Sequence, residues 1–83
     1  MFKLKAPDGT NNLCGKKLYR LRTEHNPPLS QRKLAFMLQM QGYDIDNHVI
    51  RRIELGKRYV TDIELVMLSK ALGVSLHDLL SND

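Results

Sequence analysis

Apolar residues recur at three- and four-residue spacing along most of this chain, the period of helices buried along one face. Leu13, Lys17, Leu18, Leu21 and Arg22 set out a first helix over about 13–25, with Asn12 available as its N-cap and Asn26-Pro27-Pro28 as its stop. Ser30 can cap a second helix over about 31–41, in which Leu34, Ala35 and Leu38 form the stripe and Gly42 ends it. Asp46 can accept from the free amides of a third helix, about 46–55, that turns Val49, Ile50 and Ile53 inward and closes at Gly56. Thr61 with Glu64 is a capping box. It opens a fourth helix over about 62–72, whose expected inner face is Ile63, Val66, Met67 and Leu72. Ser75 and Asp78 repeat the device before Leu76, Leu79 and Leu80, giving a fifth helix over about 76–81. No stretch alternates as a half-buried strand would, and Tyr59-Val60-Thr61 is too short to count. The expectation is an all-α fold of five short helices over residues 13–81. Ahead of it, residues 1–12 carry turn formers and no apolar period, which marks a flexible N-terminal arm made basic by Lys3 and Lys5.

Composition narrows what such a bundle can do. Eighty-three residues and 9.6 kDa fit one small domain. The apolar runs fall far short of the roughly 20 residues that cross a bilayer, and the N-terminus has no apolar signal core, so no membrane is expected and a cytoplasmic location is. A single cysteine, Cys14, excludes an internal disulfide, and with three scattered histidines it offers no metal site. Paired carboxylates, a nucleophile beside a base, and a glycine-rich phosphate loop are all missing, so neither an enzyme nor a cofactor is expected.

The net charge of +4 is unevenly placed: residues 1–58 carry twelve basic and five acidic side chains, net +7, whereas residues 59–83 are net −3. One end is suited to a polyanion. Within it, the third helix turns Asn47, His48, Arg51 and Arg52 away from Ile50 and Ile53. Arginine suits guanine edges, asparagine suits adenine, and histidine can donate or accept one bond. Gly56-Lys57-Arg58 then puts backbone and two cations where phosphates would run. The same helix face also suits plain solvation, as does the basic side of the first helix at Lys16, Lys17 and Arg20.

The wider pattern bears on that choice. Leu21-Arg22, the run from Leu29 through Ser30-Gln31-Arg32-Lys33 to Leu34-Ala35, the run Ile50-Arg51-Arg52-Ile53-Glu54-Leu55-Gly56-Lys57-Arg58, and Leu68-Ser69-Lys70-Ala71-Leu72-Gly73-Val74-Ser75 with Asp78-Leu79-Leu80 follow in order. Together they resemble the Cro/phage-repressor, or Xre-type, helix-turn-helix domain over about residues 13–81. The resemblance implies a lambda-repressor-like five-helix fold and binding to double-stranded DNA, as in small regulators of bacteria and phage. It implies that Asn47 and His48 occupy the principal base-reading positions, and that Arg51 and Arg52 contact bases or phosphates. It gives Gln31 a phosphate contact and makes Arg22 and Glu54 a partly buried structural ion pair. The chain departs from the common pattern in a lengthened connection between helices two and three. That connection brings Phe36, Met37 and Met40, for which extra core is the favoured use over a partner surface.

The expected function is that of a sequence-specific transcriptional regulator, a repressor, that lays helix 46–55 in the major groove with Gln31, Gly56, Lys57 and Arg58 on phosphates. A homodimer would have to use helix five, through Leu76, Leu79 and Leu80, unless these are plain core. The alternative is an antitoxin-like or adaptor module that binds a protein partner through Phe36, Met37 and Met40, with DNA binding secondary.

Overall fold

A computed structural model describes residues 4–81; Lys3 of the expected basic arm and the last two residues of the C-terminal tail lie outside the described residues. The described chain is all-helical: α1 (Gly15–Thr23), α2 (Gln31–Met40), α3 (Asn47–Glu54), α4 (Asp62–Leu72) and α5 (Leu76–Leu80).

The helix starts follow the side chains that can take up free amides. Ser30 Oγ accepts from Lys33 N at 2.9 Å, Asp46 Oδ1 from Val49 N at 3.0 Å, and Thr61 with Glu64 forms a reciprocal capping box, as do Ser75 and Asp78. Helix α1 starts two residues later than its spacing suggests. Asn12 Oδ1 takes the Gly15 amide at 2.7 Å, so Asn12 caps from outside, and Leu13 falls off the helix and stands 55% exposed. Gly73 ends α4 at φ +69, a conformation that suits glycine.

The core is formed by Cys14, Leu18, Leu29, Leu34, Leu38, Ile45, Ile50, Ile53, Met67, Leu68, Leu72 and Leu79. Each fully buried aliphatic side chain contributes about 1.5–3 kcal/mol. Burial also pushes the Cys14 thiol up to about 11, so it stays protonated near neutrality. Two expectations about apolar faces fail. Ile63 and Val66 point outward, at 69% and 38% exposure, because α4 is apolar on nearly every side and its register is set by Met67, Leu68 and Leu72 instead. Phe36 and Met40 do not add core either: they are 52% and 72% exposed, and only Met37 packs inward. The longer stretch between Ala35 and Ile50 is not absorbed by α2. It runs as a connection over residues 41–46, pinned by Ile45 in the core and by Gln39 Nε2 donating to Ile45 O at 2.8 Å.

Helix α3 packs on both α1 and α2, while α4 packs on α2 and α5, and α5 returns to α1. There Lys17 Nζ donates to Ser81 Oγ at 3.4 Å, and Ser81 shares a pocket of about 470 Å³ with residues of the N-terminal segment, among them Ala6 and Thr10. That segment is fastened over residues 6–12. Asp8 Oδ1 accepts from the Thr10 amide and hydroxyl at 3.0 and 2.6 Å, closing a turn, and Asn11 and Asn12 reach the end of α3. The turn formers that suggested a free arm serve here as hydrogen-bonding groups.

Candidate nucleic-acid interface

With Ile50 and Ile53 wholly buried, the 3.6-residue period leaves one face of α3 to solvent. His48, Arg51 and Arg52 are exposed on it and Asn47 is half-buried. Asn47 and Arg51 lie one turn apart, as do His48 and Arg52, so the four form a compact polar surface. Arg51 also edges a groove of about 480 Å³ that Lys16, Tyr19 and Arg20 of α1, Gln31 of α2, and Glu54 and Leu55 complete.

Under that groove lies the most buried ionic cluster. Arg22 Nε and Nη2 donate to the Glu54 carboxylate at 2.6 and 2.9 Å, and the two side chains are 9% and 5% exposed. The third arm of the guanidinium, Nη1, donates to Leu29 O at 2.8 Å, and Gln31 Nε2 donates to Glu54 Oε1 at 2.9 Å. Hydrogen bonds from Arg22 to Glu54 push the guanidinium pKa still higher, so its charge is permanent. The cluster ties α1, the start of α2 and the end of α3 together beside the outward face of α3.

The four residues expected on phosphates part company. Lys57 is exposed beyond the end of α3. Gln31 stands in the first turn of α2, where the helix dipole favours an anion, but one of its amide hydrogens is held by Glu54. Gly56 is buried: its amide donates to Ile53 O at 3.0 Å, and Thr10 covers it. Arg58 presents both terminal nitrogens to Glu64, Nη1 to Oε1 and Nη2 to Oε2, each at 2.8 Å. Gly56 and Arg58 are thus occupied inside the domain, and Lys57 is left as the outward cation of that loop. Sequence reasoning missed the Arg58 pairing, because Glu64 already serves as a cap and lies six residues later, across a turn.

Among the described residues no group of histidine, cysteine or carboxylate side chains could hold a metal ion. No helix of the described chain is long and apolar enough to cross a membrane.

No family model matches the chain, and no curated protein does. Among solved structures it is similar to the restriction-modification controller protein C.AhdI from Aeromonas hydrophila, at 31% identity and a TM-score of 0.66, over 78% of this chain and 88% of that one. Identity and coverage of that extent, on an all-helical fold, mean that the chain belongs to the Xre/Cro-type helix-turn-helix family that includes this controller protein.

Proposed function

We propose that the protein is a sequence-specific regulator of transcription that binds double-stranded DNA with α3 in the major groove and acts as a repressor by occupying its site. The observation that carries this reading is the outward face of α3, where Asn47, His48, Arg51 and Arg52 stand together on a helix whose other face is fixed in the core. Those side chains can read base edges, while Lys57, the first turn of α2 with Gln31, and the basic edge of α1 at Lys16 hold the backbone. Glu54 is neutralised by Arg22 and so does not repel the phosphates beside it. The chemistry is binding alone, and it needs neither a cofactor nor a catalytic group.

Affinity for DNA would come from two copies on two half-sites. Leu79 is core and Leu80 is half-buried, so helix five offers only Leu76; the apolar area nearest to it in sequence is Ile63 and Val66 of α4. A homodimer through that α4–α5 face is the assembly we propose, and a monomeric mass in solution with a single half-site footprint would exclude it.

Selection of bound duplexes from random and genomic fragments tests the main reading. The likeness to a restriction-modification controller makes the promoters of restriction and modification genes the first fragments to include. An enriched, pseudo-palindromic motif is expected. No enriched motif would move the assignment to a second reading, a protein-interaction module, which the outward Phe36 and Met40 of α2 favour.

A further inference from the structure

We infer that Asn11 and Asn12 are positioning residues for DNA reading: they clasp the C-terminal end of α3 and so aim Arg51 and Arg52. The inference rests on the DNA-binding reading above.

Helix α3 has only eight residues, and the connection before it is a loop. A short helix after a long loop owes its direction to whatever holds its ends. The first end is held by Asp46 and by Ile45 in the core. At the other end the last carbonyls of any helix lack partners within the helix; here the Leu55, Gly56 and Lys57 amides take Arg51 O, Ile53 O and Arg52 O, and the segment ahead of α1 adds a second donor to Ile53 O and ties down the loop beyond. Asn12 Nδ2 donates to Ile53 O at 3.1 Å and to Arg58 O at 2.8 Å, while its Oδ1 accepts the Gly15 amide at 2.7 Å. One side-chain amide therefore joins the start of α1, the last turn of α3 and the loop beyond it. Asn11 adds its backbone N–H to Gly56 O at 2.8 Å and its Nδ2 to Lys57 O at 3.0 Å.

The close fit is visible in two glycines. A Cβ on Gly56, which sits at φ +75, would come within 2.6 Å of Thr10, and one on Gly15 would collide with the Ile53 carbonyl. Asparagine alone combines, at this reach, one acceptor with two donors on one short planar group. Aspartate keeps the acceptor and loses both donors.

Arg51 and Arg52 stand in the half of α3 that the clasp holds, and Lys57 follows on the clasped loop. Loosening the clasp moves the reading side chains off their base edges. It leaves the number of cations near the backbone unchanged. Sequence preference should then fall while non-specific affinity persists.

The test compares a duplex carrying the selected site with a scrambled duplex, for the full chain and for Asn12→Asp, Asn12→Ala and Asn11→Ala. Asn12→Asp keeps the acceptor for Gly15, and Asn11→Ala removes a single exposed hydrogen bond, so both should remain folded by circular dichroism even if Asn12→Ala does not. In the folded variants the preference for the selected site should drop about tenfold, the size expected when a base contact is misaligned. In Asn11→Ala, which leaves the charge unchanged, affinity for the scrambled duplex and its salt slope should hold; Asn12→Asp, which adds a negative charge, should weaken both duplexes but the selected one more; and in both, backbone amide exchange at Leu55, Gly56 and Lys57 should rise. Folded variants with wild-type preference, or with both affinities falling in proportion, overturn the clasp alone. A wild-type chain that prefers no sequence overturns the DNA reading, and the clasp's role with it.

Discussion

Arg22 and Glu54 meet fork to fork, at 2.6 and 2.9 Å, across thirty-two residues of chain and nearly out of reach of water. A buried pair of this geometry is costly to break from one side, because the partner left behind keeps its charge without its counter-ion. Glu54→Gln should therefore destabilise the fold by about 3–5 kcal/mol, read from urea unfolding. Replacing both residues by apolar ones of similar size should cost much less than Glu54→Gln alone. Equal costs would mean that the pair adds net stability of its own.

The proposed interface divides into residues that discriminate and residues that only hold. Arg51→Ala or Arg52→Ala should cost about 1–3 kcal/mol on the selected site and relax preference there, while Lys57→Ala weakens every duplex alike and lowers the salt slope by about one. Arg58→Ala separates the geometry from the simpler charge-counting view. With its guanidinium held by Glu64, its loss should lower stability and leave the salt slope in place. Binding titrations over a range of salt concentrations check all four.

Acid should loosen the turn between α3 and α4. Burial pushes the Glu64 carboxyl up, but hydrogen bonds from Arg58 and from the Thr61 amide, with the Arg58 charge, outweigh it and hold the group below its ordinary 4.5. The unfolded chain then takes up a proton at a pH where the native one refuses it. The stability Glu64 contributes is complete above about 4.5 and is lost as pH falls through the lower native value. Glu64→Gln should unfold more readily at neutral pH and lose less on acidification than the unaltered chain. Parallel stability–pH curves would contradict this.

Gly56→Ala should cost about 1–3 kcal/mol from the left-handed backbone alone, with a further loss from displacing Thr10. Thr10→Ser should recover part of the second loss and none of the first, as thermal melts of the single and double variants would show.

Helix α4 was legible to the residue because a capping box opens it and a left-handed glycine closes it, both of which are local chemistry. Which of its faces is buried was not, since apolar residues surround it and only tertiary packing chooses between Met67 and Ile63. Phe36 and Met40 were hidden for a related reason: periodicity measures distance from a stripe, not whether a neighbour exists to cover the excess. The pairing of Arg22 with Glu54 came from family resemblance, as no spacing rule connects residues so far apart. Asn11 reads as a turn former and Asn12 as the cap of the first helix, and their reach to residues 53–58 depends on how α1 lies against α3. Arg58 reads as a phosphate clamp from its charge alone, whereas its pairing with Glu64 depends on how the turn before α4 folds.

The meeting of Ser81 with α1, beside the turn built around Asp8, has a topological consequence. Residues 6 and 81 line one pocket, so the linear order of the helices is separable from their arrangement. A circular permutant opened at the exposed Pro27-Pro28 turn and joined by a short linker between residues 6 and 81 would thread the helices in a new order and keep the same groove.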